Sequence, residues 1–132
     1  MKFNLKTIDS VFDENTGISK TTILTDIGKF VGFAKLHPDD KNYASRYAGC
    51  RYAEIRATIK YLKVKKAIAR NQIKELNRLL NEIRYKPDRQ AIEAVIRIYK
   101  NQLDIYNKNI LLLKDMLLKT IQERERLLNK NG

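Results

Sequence analysis

Cysteine occurs once, at Cys50, histidine once, at His37, and tryptophan not at all. A lone cysteine cannot build a disulfide framework, so nothing points to an oxidising compartment. Catalysis is left with little to work on. A Cys50–His37 pair would need a third group to orient it, and a small cysteine packed in a core is the better account of Cys50. His37, Asp39 and Asp40 offer a hard cation a few ligands, but acids at a helix N-terminus explain the same residues. The chain has no glycine-rich phosphate loop, no zinc-ligand spacing and no nucleophile elbow. The expectation is no catalytic residue, no metal and no cofactor, hence not an enzyme. Long apolar runs are missing too. The start, Met1-Lys2-Phe3-Asn4-Leu5-Lys6, has no signal-peptide core, and the most apolar stretch, Ile110–Leu118, is broken by Lys114 and Asp115. A soluble cytoplasmic protein with no membrane partner is the expected class.

Positive charge, by contrast, is plentiful and unevenly spread. The 132 residues hold 27 Lys and Arg against 15 Asp and Glu, a net +12. Residues 1–40 carry five basic and six acidic side chains, residues 41–84 twelve and three, and residues 85–132 ten and six. Three quarters of the excess therefore sits on one segment. That pattern implies a basic face and anionic partners: nucleic acid, a nucleotide, or an acidic protein surface.

Hydrophobic patterning predicts an α+β fold, a small N-terminal three-stranded antiparallel β-meander followed by a long antiparallel, coiled-coil-like helical hairpin. Residues 1–37 form the meander and 38–132 the hairpin, within one cooperative domain. Phe3–Phe12 alternates apolar and polar residues, with a slip near Thr7–Ile8 of the kind a bulge produces. Asp13–Gly17 and Asp26–Gly28 read as turns, and Ile18–Thr25 and Lys29–Leu36 as the second and third strands. Pro38-Asp39-Asp40 marks a helix start. Helix one is expected over about 39–84, with room for a break at Gly49, and helix two over about 88–129. In the first, positions 48, 52, 55, 59, 62, 66, 69, 73, 76, 80 and 83 hold ten apolar residues and Lys66. The second repeats the heptad line at positions 92, 96, 99, 103, 106, 110, 113, 117, 120, 124 and 127, failing only at Thr120 and Arg124. Tyr85-Lys86-Pro87-Asp88 interrupts the two, and so short a connection makes them antiparallel.

Three groups of residues stand out as candidate sites. Tyr43, Tyr47, Arg46, Arg51 and Arg56 mix guanidinium groups, which grip phosphates, with rings that stack on bases. The arginines lie five apart, about 140° of helix rotation each, so they converge only if the helix breaks near Gly49 or a second chain adds its own set. Lys60, Lys63, Arg70 and Lys74 stay nearly in line and continue from Arg56 as a cationic ridge suited to a polyanion backbone. Ile98, Ile105 and Leu112 lie one heptad apart outside the hairpin seam. Together with Val95 and Met116 they predict self-association, as a dimer or higher oligomer. A strip of small residues, Gly49, Ala53 and Ala57, four apart, calls for a close-packed neighbour, either the sheet or a second subunit.

The stretch Lys35-Leu36-His37-Pro38-Asp39-Asp40, together with Ala48-Gly49-Cys50-Arg51-Tyr52-Ala53-Glu54-Ile55-Arg56-Ala57, resembles small accessory proteins of phages and prophages of low-GC Gram-positive bacteria. That resemblance covers the strand-to-helix junction and the first half of helix one. It implies no catalytic residues. It implies a category, in which such proteins handle nucleic acid or inhibit host defence, some by sequestering nucleotide signals, and a host bacterial cytoplasm as location. Three functions follow in order. The first is a non-enzymatic protein whose basic helix binds nucleic acid. The second is an anti-defence protein that captures a signalling nucleotide or blocks a nucleic-acid-binding host protein. The third is a structural or assembly hairpin.

Overall fold

A computed structural model describes residues 5–35 and 43–131, and side chains over residues 5–35 and 48–119. The element order is β1 (Lys6–Asp13), β2 (Ile18–Thr25), β3 (Gly28–Lys35), α1 (Tyr43–Glu82) and α2 (Lys86–Asn131). The fold is α+β, three antiparallel strands in the order β1-β2-β3 followed by two long helices. The helix start expected at residues 38–40 lies outside the described residues. Helix α1 runs through Gly49 without a break. The chain forms two compact units, one of Met1–Tyr61 with Leu112–Gly132 and the other of Leu62–Leu111.

In the first unit the sheet is shaped by its turns. Asp13 accepts the Asn15 amide on Oδ1 at 2.9 Å, and its carbonyl accepts the Gly17 amide at 2.8 Å. Gly17 sits at φ 73°, a conformation that glycine adopts without steric cost. The register between β1 and β2 shifts between Thr7 and Asp9, so Ile8 is the extra residue and the strand's faces exchange there. The Thr25 hydroxyl holds the second turn, accepting from the Ile27 amide at 3.2 Å and donating to the Gly28 carbonyl at 2.6 Å.

Alternation then sorts the sheet into two faces. Ser19, Thr21, Ile23, Gly32 and Ala34 are buried. Small residues dominate this inner face because α1 presses its backbone onto it. A Cβ added at Gly32 would fall on the Ala53 carbonyl oxygen and lie 2.6 Å from the Ala57 nitrogen. The strip Gly49-Ala53-Ala57 is therefore occupied by the sheet. Ala34, Tyr52 and Ala53 form a buried cluster, with Ala48 and Leu117 packed against it. Thr21 donates its hydroxyl proton to the Cys50 carbonyl at 3.1 Å, which leaves the Ser10 hydroxyl as donor to Thr21 Oγ1, also at 3.1 Å. Tyr61 ties the second turn to the helix. Its ring meets Phe30 edge-on at 5.7 Å, and its hydroxyl donates to Asp26 at 2.5 Å.

The second unit is the end of an antiparallel hairpin. Leu62 and Ala69 from α1 and Ile96, Tyr106 and Ile110 from α2 are buried. The other seam residues, Ile73, Leu76, Leu80 and Ile83 opposite Ile92, Tyr99 and Leu103, are half-buried. Two helices alone cannot close a seam to water on both sides, which accounts for the difference. Pro87 and Asp88 occupy the first turn of α2, where a missing N–H is harmless and a carboxylate favours the helix dipole. Arg89 closes the connection. Its guanidinium donates to the Ile83 carbonyl at 2.8 Å and to the Leu80 carbonyl at 2.5 Å, two acceptors left over at the end of α1.

Candidate functional site

Antiparallel sheets satisfy their inner strands and leave carbonyls bare along each outer edge. On β3 those bare acceptors are the carbonyls of Val31 and Phe33. Lys60 donates to the first and Arg56 to the second, each at 2.7 Å. The match is metric. Four residues of helix rise about 6 Å and two residues of strand about 6.8 Å, so cations at i and i+4 meet alternate carbonyls. The two side chains thus clamp the β3 edge from α1. Lys60 also places its ammonium 5.8 Å from the centre of the Phe33 ring.

The other arginines of the first candidate group have different surroundings. Arg51 is exposed and ion-paired with Glu54 at 3.2 Å, one turn further along α1. The side chains of Tyr43, Arg46 and Tyr47 lie outside the described residues. Because α1 continues through Gly49, positions five apart along it are turned by about 140°, so Arg51 and Arg56 leave the helix in different directions. Within one chain those two do not converge. A shared anion pocket would need a second chain.

In the second unit, Lys63, Arg70 and Lys74 are exposed on α1. Among the described residues no acid lies within ion-pair distance of any of the three. Two of the unit's five acids, Glu75 and Glu82, hold Arg78 at 3.1 and 3.5 Å. Residues 62–111 carry twelve basic and five acidic side chains, so the excess persists after pairing. The spacing of seven and four keeps Lys63, Arg70 and Lys74 on one side of the helix.

The third candidate group is on α2. Ile98 is 56% exposed and Leu112 57%, while Ile105 is half-buried. Two features escaped sequence reasoning. One is the Arg89 clamp, for which a basic residue just past a proline interruption is the available signal. The other is the outer face of the sheet, where Phe33, Val11 and Leu24 are exposed. Among the described residues no group of three or more His, Cys, Asp or Glu side chains is arranged to hold a metal ion, and no helix is long and apolar enough to cross a membrane. Compared with family models, with curated proteins and with solved structures, the chain matches none.

Proposed function

We propose that this protein is a non-enzymatic binding protein whose basic helix α1 engages an anionic partner, nucleic acid in particular. The observation that carries the reading is the unneutralised set Lys63, Arg70 and Lys74, exposed in line with no acidic partner among the described residues. A solvated helix face usually mixes signs at i, i+4, as Arg78 and Glu82 do on this same helix. Uncompensated cations repel one another and become favourable when phosphates replace their counterions. Capture of a small nucleotide by Arg46, Arg51 and Arg56 has less behind it. Arg51 holds Glu54, Arg56 holds a strand carbonyl, and the helix between them is straight enough in sequence terms to send them apart.

Self-association belongs to the same proposal. Ile98 and Leu112 carry more exposed apolar surface than a two-helix seam uses, and a second copy would bury it. Light scattering coupled to size exclusion should return at least twice the 15.5 kDa chain mass at micromolar concentration. A monomer at every concentration removes this part.

The binding test is a titration of labelled single- and double-stranded DNA and RNA against the protein at about 50 mM salt. Binding is expected, weakened at least about tenfold by Lys63→Glu, Arg70→Glu and Lys74→Glu together. No binding to any of the four at that salt refutes the reading.

A further inference from the structure

The outer face of the sheet is an unpartnered surface of a particular composition, and it lies wholly within the first unit. Register places Val11, Lys20 and Phe33 side by side across β1, β2 and β3. The adjoining rows on this face set Ile18 beside Lys35 and Thr22 beside Val31, and the next sets Leu24 beside Lys29. Phe33 and Val11 are each 50% exposed and Leu24 43%. A large aromatic on the solvent face of the edge strand β3 leaves apolar area open to water.

The charge around the ring is one-sided. The Phe33 carbonyl points away from β2, toward Arg56. Phe33 and Lys20 are therefore a non-hydrogen-bonded pair, the arrangement that brings side chains closest, with Cα atoms about 4.5 Å apart. Lys35 follows two residues along the same face of β3, and Lys60 lies over one face of the ring, 5.8 Å from its centre, which leaves the other face for a base. Among the described strand residues acids appear only on β1, as Asp9 and Asp13, the strand furthest from Phe33. A flat ring with cations on three sides suits a ligand that is itself flat and anionic by turns.

We propose that this face is a stacking platform for single-stranded nucleic acid, with one base lying on Phe33 and the flanking phosphates held by Lys20 and Lys35. The platform rests on the reading that the protein binds nucleic acid, and adds that it takes unpaired bases. Stacking on an exposed aromatic needs a free π-face, which a duplex does not offer. Lysines beside the ring are spaced by the strand, about 6.8 Å for Phe33 to Lys35, so phosphate contacts follow the chain direction of β3.

The chain has no tryptophan, so Phe33→Trp installs a single fluorescent reporter at the proposed site. Adding oligo-dT or oligo-U should quench it, whereas heparin, an anion without bases, should leave it unchanged. In anisotropy titrations Phe33→Ala should weaken single-strand binding about tenfold or more and leave duplex binding as it was. Phe33→Leu keeps the apolar bulk without the ring and should behave as Phe33→Ala does, which covers the case where the alanine variant fails to fold. Lys20→Glu with Lys35→Glu should lower single-strand affinity further. DNA and RNA arms identify the preferred strand, and quenching by either one supports the platform. If strands bind, lose affinity on reversal of Lys63, Arg70 and Lys74, and ignore Phe33, the platform is overturned while the helix reading stands. If no strand or duplex binds the wild-type protein, both fall together.

Discussion

Gly49 and Ser19 face each other across the helix–sheet contact, and their geometry predicts a stabilising double substitution. Glycine within a helix costs about 1 kcal/mol relative to alanine. A Cβ at Gly49 would stand 2.6 Å from Ser19 Oγ, too near to be tolerated, but 3.5 Å from Ser19 Cβ, an ordinary contact. The obstacle is therefore one hydroxyl oxygen. That hydroxyl is buried and has no hydrogen-bond partner, a situation that costs about 1–3 kcal/mol. Part of that cost returns in Ser19→Ala as lost strand preference and lost contacts, leaving a net gain of about 1 kcal/mol. Gly49→Ala alone should be near neutral, because the helix gain is spent on turning the hydroxyl aside. Together the two changes should stabilise the protein by about 2 kcal/mol, with about 1 kcal/mol of that appearing only in the pair. For 132 residues an unfolding entropy near 2.1 cal/mol/K per residue converts this to a rise of about 7 °C in Tm. Urea denaturation followed by circular dichroism measures all four corners of the cycle, with an unchanged slope confirming that compactness is preserved. A double variant less stable than wild type would refute the reasoning, since neither the space nor the hydroxyl would then control the contact.

Gly32→Ala should act in the opposite sense. Its Cβ would meet the backbone of Ala53 and Ala57, which no rotamer can clear, so a loss of about 3 kcal/mol or more in the same denaturation assay is expected. Arg89→Ala removes two charge-assisted bonds to the Leu80 and Ile83 carbonyls. It should cost about 2 kcal/mol and speed hydrogen exchange near residues 80–92 while leaving the β2–β3 amides protected. Binding to single or double strands should fall with salt along a log–log slope of about −3 to −5, shallower by about 2 to 3 when Lys63, Arg70 and Lys74 are neutralised to alanine. A slope indifferent to those three lysine and arginine side chains would place the phosphates elsewhere.

The seams of the hairpin were legible because a period of 3.5 is a local property of the chain. Every expected position from Ala48 to Ile83 on α1, and from Ile92 to Leu117 on α2, is buried or half-buried. The bulge was legible for the same reason, since one extra residue in a period of two inverts the pattern, as Ile8 does. What packs on the small-residue strip was not. Gly49, Ala53 and Ala57 announce a close neighbour, but its identity depends on Gly32, which is seventeen residues before Gly49 and unremarkable within its own strand. Tyr61 and Asp26, thirty-five residues apart, pose the same difficulty.

The charge pattern misled for a different reason. Arg56 and Lys60 look like two more members of a solvated ridge, because the groups they bind are main-chain carbonyls and carry no side-chain signature. Once Gly32 lets α1 settle directly on the sheet, the helix runs close enough to β3 for cations at i and i+4 to reach its edge. The contact that selects glycine and alanine at the centre thus also selects arginine and lysine at the side. Some of the net +12 is consequently structural, an edge cover that leaves β3 no free acceptors at Val31 and Phe33 for another strand. The charge left for a ligand is smaller and better defined than composition implies. Among the described residues it includes Lys63, Arg70 and Lys74 on the helix, and Lys20 and Lys35 beside Phe33 on the sheet. Substitutions at Arg56 or Lys60 would expose the strand edge as well as remove a cation, so a loss of binding there would not by itself report a ligand contact. The two remaining sets carry no such double role, and they are where binding and folding can be read apart.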